Sequence, residues 1–220
     1  MHFEILVEDI SGKKVLDNVV PGIIGDSHTF RVIPYKGIGR PPRDLSSSSD
    51  PKKRILLNQL PRILQGYGNA FSQYPVGYKA VLMIVVDLDD RCLKISRQEL
   101  LSVLLSVNPK PDTRFCFAIE EGEAWLLGDR KAVLAAYPKA DQRVLNRYTN
   151  DSICGTWEVL ADILHKDGSA KLIKGGYRKV GEAKSKWAED ISPFMDVNNN
   201  NSPSFNYFRS KILELVESSG

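Results

Sequence analysis

Cysteine and histidine are both scarce, with three of each among 220 residues. Cys92, Cys116 and Cys154 form an odd set at wide spacings, which argues against a disulfide framework and against a paired-cysteine zinc site. His2, His28 and His165 are scattered, so zinc chemistry has no ligand-spaced pair to start from. No Gly-x-Ser-x-Gly elbow is present for a serine triad. The glycines of the Lys36–Arg43 stretch lack the Gly-x-x-x-x-Gly-Lys-Ser/Thr order of a P-loop. Long apolar runs are missing as well. The longest, Ala80 to Val86, is far too short to cross a bilayer, so no membrane partner is expected. Met1 to Glu8 runs directly into a strand pattern with acids, unlike a secretory signal. These absences together point to a reduced, cytoplasmic protein. Nor is there a large excess of one charge: a net +3 permits nucleic-acid binding without arguing for it.

What is present is a strand–helix alternation. Phe3–Val7 reads as a strand, and a helix follows with Val15, Leu16, Val19 and Val20 on one face, capped by Ser11 and disturbed at Pro21. Thr29–Tyr35 reads as a second strand, and Lys36 to Pro51 as a long polar loop. A helix through Ile55, Leu56, Leu60, Ile63 and Leu64 is expected to kink at Pro61. Lys79–Asp87 is an unbroken apolar strand of the kind covered on both faces in parallel sheets. Ser96 and Glu99 fit a capping box for a helix over Arg97–Val107, and Thr113–Ile119 reads as a fourth strand. Further helices are expected near 130–137, 156–165, 180–191 and 205–217, with Ser204 capping the last. The expected architecture is α/β, a doubly wound, mostly parallel sheet over 1–128 with a helical C-terminal extension over 129–220 packed on it.

Three of the predicted strands end in acids: Val7-Glu8-Asp9, Val86-Asp87-Leu88-Asp89-Asp90 and Ile119-Glu120-Glu121. In open α/β sheets, function collects outside the C-terminal strand ends. Within Asp87-Leu-Asp89, residues two apart on an extended chain share a side, so both carboxylates can serve one ion or a pair of ions. Mg²⁺ needs only one or two carboxylates beside waters and substrate phosphates. Each acid also has a plain structural reading, since Asp and its relatives favour turns and helix starts. Clustering three such ends in one sheet costs repulsion that a cation or basic partners would offset.

The pairing of Glu8 with Asp87-Leu-Asp89 resembles the Toprim fold of topoisomerases, primases and several nucleases. More closely, the chain resembles the Toprim-like family called domain of unknown function 4276. The matching segments are Ile5-Leu-Val-Glu8, Val86-Asp-Leu-Asp89, Ala118-Ile-Glu-Glu-Gly-Glu-Ala-Trp-Leu-Leu-Gly-Asp129, Cys154-Gly-Thr-Trp157, Lys186-Trp-Ala188 and Asn201-Ser-Pro-Ser-Phe205. One departure is Asp9, where Toprim chains usually carry glycine. The resemblance implies Mg²⁺ (or Mn²⁺) held by Asp87 and Asp89, with Glu8 as ligand or general base. It implies phosphodiester cleavage of nucleic acid, by an effector acting with an ABC-type ATPase partner in antiphage defence. The second alternative is a non-catalytic binding subunit docked on that ATPase; a third, primase-like nucleotidyl transfer, shares the same acids but needs a nucleotide pocket that the sequence does not locate.

Glu120 is expected as a fourth ligand or supporting acid. Glu123 is open between ligand and helix-start residue, because acids favour the first turn of a helix. Trp125 and Leu126 are expected in the core. Among the basic residues Lys174, Arg178, Lys179, Lys184 and Lys186, the last two are the better placed for a substrate phosphate. Arg40, in the glycine-containing loop, is a further phosphate candidate.

Overall fold

The computed structural model describes residues 1–42, 53–152 and 154–218. The Arg43–Pro51 part of the expected polar loop lies outside the described residues. Four strands, β1 (His2–Val7), β2 (Thr29–Pro34), β3 (Ala80–Asp87) and β4 (Thr113–Ala118), form one all-parallel sheet in the order β2-β1-β3-β4. The first helices between them are α1 (Ile10–Ile24), α2 (Leu60–Ser72) and α3 (Leu93–Ser106). After β4 come α4 (Glu123–Leu127), α5 (Arg130–Ala136), α6 (Gln142–Arg147), α7 (Thr156–Leu164), α8 (Gly168–Lys174), α9 (Tyr177–Ile191) and α10 (Pro203–Glu217). This is the α/β fold with a helical C-terminal region that the strand–helix alternation predicts.

The apolar run of β3 is split by the two-residue period of a strand. Val81, Met83 and Val85 point into a core shared with Phe3, Ile5 and Val7 of β1 and with α1, α9 and α10. Leu82, Ile84 and Val86 point into a second core with Leu6, Leu60 and Leu64 on the face covered by α2 and α3. The sheet is therefore wound on both sides, and β3 is central because both of its faces are apolar. The first core draws on both the 1–128 and the 129–220 ranges. Trp125 of α4 stacks on Phe208 and meets Phe205 edge-on, both from α10.

Several helix boundaries differ from expectation, each for a local reason. Asp9, not Ser11, caps α1: its Oδ1 accepts from the Gly12 amide at 2.8 Å, while the Ser11 hydroxyl donates to Oδ2 at 2.5 Å. The helix continues past Pro21 to Ile24, because Ile23 and Ile24 are buried while the proline sits on the exposed side. Pro61 falls in the first turn of α2, where a missing amide proton leaves no hydrogen bond unmade, so no kink arises. α3 begins at Leu93, which places Ser96 inside the helix rather than at its cap. Ser202, not Ser204, caps α10 by accepting from the Phe205 amide at 3.2 Å. The short helices α4, α6 and α8 show too few turns for a 3.6-residue period to register in the sequence. Among the described residues no helix is long and apolar enough to cross a membrane, and the three cysteines are free thiols.

Candidate functional site

The strand order places a topological switch between β1 and β3, since the chain leaves β1 toward β2 on one side and leaves β3 toward β4 on the other. At such a switch the loops diverge and open a crevice at the C-terminal strand ends. Glu8 follows β1 and Asp87 closes β3, so both border that crevice. A small cavity of about 30 Å³ lies there, lined by Glu8, Asp9, Asp87, Glu123 and Lys184 among others. Its size suits a water or an ion rather than an organic ligand.

Glu8 and Asp87 come together at this cavity, and Asp89, outside its lining, acts on Glu8 by its charge. Burial raises the Glu8 carboxyl to about 7, helped by the charges of Asp89 and Asp9. Asp87 is raised well above its ordinary value, first by burial and then by the charge of Glu8. Burial also raises Asp89, against the pull of Arg91. One Glu8 oxygen, Oε2, is shut off from solvent and has no hydrogen-bond partner. A carboxylate oxygen in that condition requires a proton or a cation.

Asp87 and Asp89 do not share a strand face as an extended pair would. Asp89 takes the left-handed backbone region, φ +52°, and so does Glu120 across from it, φ +58°. The two turns are tied by the Asp89 amide donating to the Glu120 carbonyl at 2.9 Å, and by Leu88 to Ala118 at 3.0 Å. Arg91 braces the same turn through the Asp87 carbonyl at 2.7 Å and the Asp89 carboxylate at 3.3 Å. Leu88 is buried, as expected.

Glu120 is not free to be a ligand. Its Oε1 accepts from the Gly155 amide at 2.6 Å, and its Oε2 accepts from the Thr156 amide at 2.7 Å and from the Thr156 hydroxyl. It closes the N-terminus of α7 instead. Ser204 plays a comparable part from α10, accepting from the Trp125 indole at 2.9 Å and the Ile119 amide at 3.3 Å. Trp125 and Leu126 are core residues, as expected.

The acids that complete the crevice are Glu121 and Glu123. Glu123 opens α4, as its helix-start reading requires, and is buried against Lys184. The Lys184 Nζ lies 3.1 Å from Glu123 Oε2, and it donates to Glu121 Oε1 at 3.2 Å. Burial alone would lower the Lys184 ammonium, yet Glu123, Glu121 and Asp87 together hold it above its ordinary value. Burial lifts the Glu121 carboxyl to about 7 and raises Glu123, each against the opposing charge of Lys184. Lys186 faces away and pairs with Asp190 on the exposed side of α9. Arg40 borders α3, beside Gln98, Glu99 and Ser102, rather than the acids. The role of Glu121 was hidden in the sequence because its neighbour Glu120 carries the same charge, and only the turn decides which one faces inward.

As the side chains stand, no group of three or more Asp, Glu, His or Cys among the described residues closes on a metal ion. The donor set still fits Mg²⁺ or Mn²⁺. The oxygens are hard, one of them is buried and unpartnered, and Mg²⁺ takes one or two carboxylates with water filling the rest. No protein-family model, curated protein or solved structure matches this chain.

Proposed function

We propose that this chain is a Mg²⁺- or Mn²⁺-dependent phosphodiesterase of the Toprim type acting on nucleic acid. We place it in the cytoplasm, working with an ABC-type ATPase in antiphage defence as the resemblance to domain of unknown function 4276 implies. The observation that carries the catalytic reading is the buried, unpartnered Glu8 Oε2 beside Asp87 and Asp89 at the β1/β3 switch. Asp87 and Asp89 would hold the ion, which would supply Lewis-acid polarisation of a phosphate and activation of water. Glu8, held near 7, takes a proton at neutral pH as a general base or joins the ligands. Lys184 pairs with Glu121 and Glu123 and acts by its charge on Glu8 and Asp87 as well.

Asp87→Ala and Glu8→Gln are each expected to abolish metal-dependent cleavage of DNA or RNA while the circular dichroism spectrum stays that of the parent. Full cleavage by both variants overturns the reading.

A second reading is favoured by Lys184 itself, an internal cation already seated among the acids. In that case the cluster is self-neutralised, and the chain is a binding subunit that docks on its ATPase partner without catalysis. Calorimetric titration with Mn²⁺ separates the two. Heat that disappears in Asp87→Ala supports the metal site, and no heat in the parent protein supports the subunit.

A further inference from the structure

The sheet has two edges, and they are finished differently. At β2 the Arg31 side chain is exposed and pairs with Glu4, a charged guard of the kind that blunts an edge. At β4 most of the flanking side chains are apolar, with Arg97 and Ser204 also among them. A cavity of about 240 Å³ runs along this edge, lined by Leu93 and Arg97 of α3, Phe115 and Phe117 of β4, and Pro203 and Tyr207 of α10. Leu93 is 43% exposed and Tyr207 37%, so the groove is open to solvent.

The backbone of β4 has a definite phase. The Leu82 amide donates to the Asp112 carbonyl at 2.8 Å, and the Leu88 amide to the Ala118 carbonyl at 3.0 Å. In a parallel ladder, alternate residues direct both backbone groups to the same neighbour. Arg114, Cys116 and Ala118 therefore face β3, and Thr113, Phe115, Phe117 and Ile119 face outward. Two of the outward positions are already used. Arg114 donates to the Thr113 carbonyl at 3.0 Å, and the Ile119 amide meets Ser204 at 3.3 Å. Phe115 and Phe117 remain: their outward amides and carbonyls have no hydrogen-bond partner among the described residues, and the two residues, 7% and 6% exposed, form the floor of the groove. Two residues of strand separate them by about 6.6 Å, the repeat that an added strand offers in return.

Charge supplies the other half of the match. Arg97 is exposed at the rim and forms no ion pair among the described residues. A cation left unpaired beside an apolar slot is complemented by an acid on whatever fills it.

We infer that the β4 edge groove binds an extended segment of a partner protein by strand addition, taking its aliphatic side chains between α3 and α10 and an acidic residue at Arg97. The backbone of Phe115 and Phe117 provides the ladder, and the helices provide the side-chain selection. The groove has no residue in common with the cavity lined by Glu8 and Asp87, so strand addition here is independent of the catalytic reading.

The test uses the full chain and a fluorescein-labelled peptide, Glu-Val-Thr-Val-Thr-Val, with two controls. One control is N-methylated at alternate amides, and the other carries Lys in place of Glu. Fluorescence anisotropy is expected to show binding of the parent peptide, weakened at least tenfold by N-methylation and by Leu93→Asp or Tyr207→Asp. Arg97→Glu is expected to invert the preference between the Glu and Lys peptides. Amide exchange at Phe115 and Phe117 should slow on binding. No binding of any peptide overturns the inference, and so does binding indifferent to N-methylation. A dimer in solution that Leu93→Asp makes monomeric also overturns it, because a second copy would then be the occupant.

Discussion

At the scale of single residues, the governing fact is how Glu8 is buried. A carboxyl raised from 4.5 to about 7 holds a proton in the folded chain that the unfolded chain releases between those values. The stability it contributes is therefore fully present below pH 4.5 and is lost as pH rises through 7. Glu121, also raised to about 7, acts in the same direction. In EDTA, urea unfolding is expected to show lower stability at pH 8 than at pH 6, by about 1 kcal/mol for each of the two carboxylates. Glu8→Gln, which cannot ionise, should remove its share of that slope. A midpoint that is flat or rises between pH 6 and 8 contradicts the burial described above. The surface acids Asp141, Asp167 and Asp196 are held lower by their partners and finish titrating well below this window.

At the scale of elements, the strand-end acids have divided their labour. Glu120 satisfies the first amides of α7, which a helix start otherwise leaves unpaired. Glu120→Ala is expected to lower stability by about 2 kcal/mol, the upper range for loss of a helix cap, with Mn²⁺ affinity unchanged. Loss of Mn²⁺ binding equal to that of Asp87→Ala would restore Glu120 to the ligand set. The strands were legible because their signals are strong and local. β3 is a run of apolar residues, and β1 and β4 stop at acids within a residue of where the pattern predicts. The helix starts were less legible, because Asp9, Ser11, Ser96, Ser202 and Ser204 are all competent caps by residue type. Which one caps depends on which φ/ψ the preceding chain adopts as it leaves the sheet.

At the scale of the whole molecule, the sheet does not finish its own core. Trp125, Phe205 and Phe208 pack as one aromatic group, and α9 and α10 cover the face that β1, β3 and α1 leave apolar. A chain ending at residue 128 is accordingly expected to lack a cooperative unfolding transition, measured by near-UV circular dichroism in urea. A cooperative transition in that piece would show that the 1–128 range has a sufficient core of its own.

By itself the sequence determined the α/β class, the central place of β3 and the acids at the strand ends. Each of these rests on side-chain chemistry or on a period of two or 3.6 residues within one segment. The tertiary structure alone decided that Glu121 and Glu123 share Lys184 from α9, that Glu120 is spent on α7, and that Lys186 and Arg40 stand elsewhere. Those outcomes depend on how segments some 35 to 63 residues apart meet, and on left-handed turns at Asp89 and Glu120 that rotate neighbouring side chains apart. A one-residue difference along the chain reverses which carboxylate faces the crevice, and spacing in the sequence carries no record of that rotation.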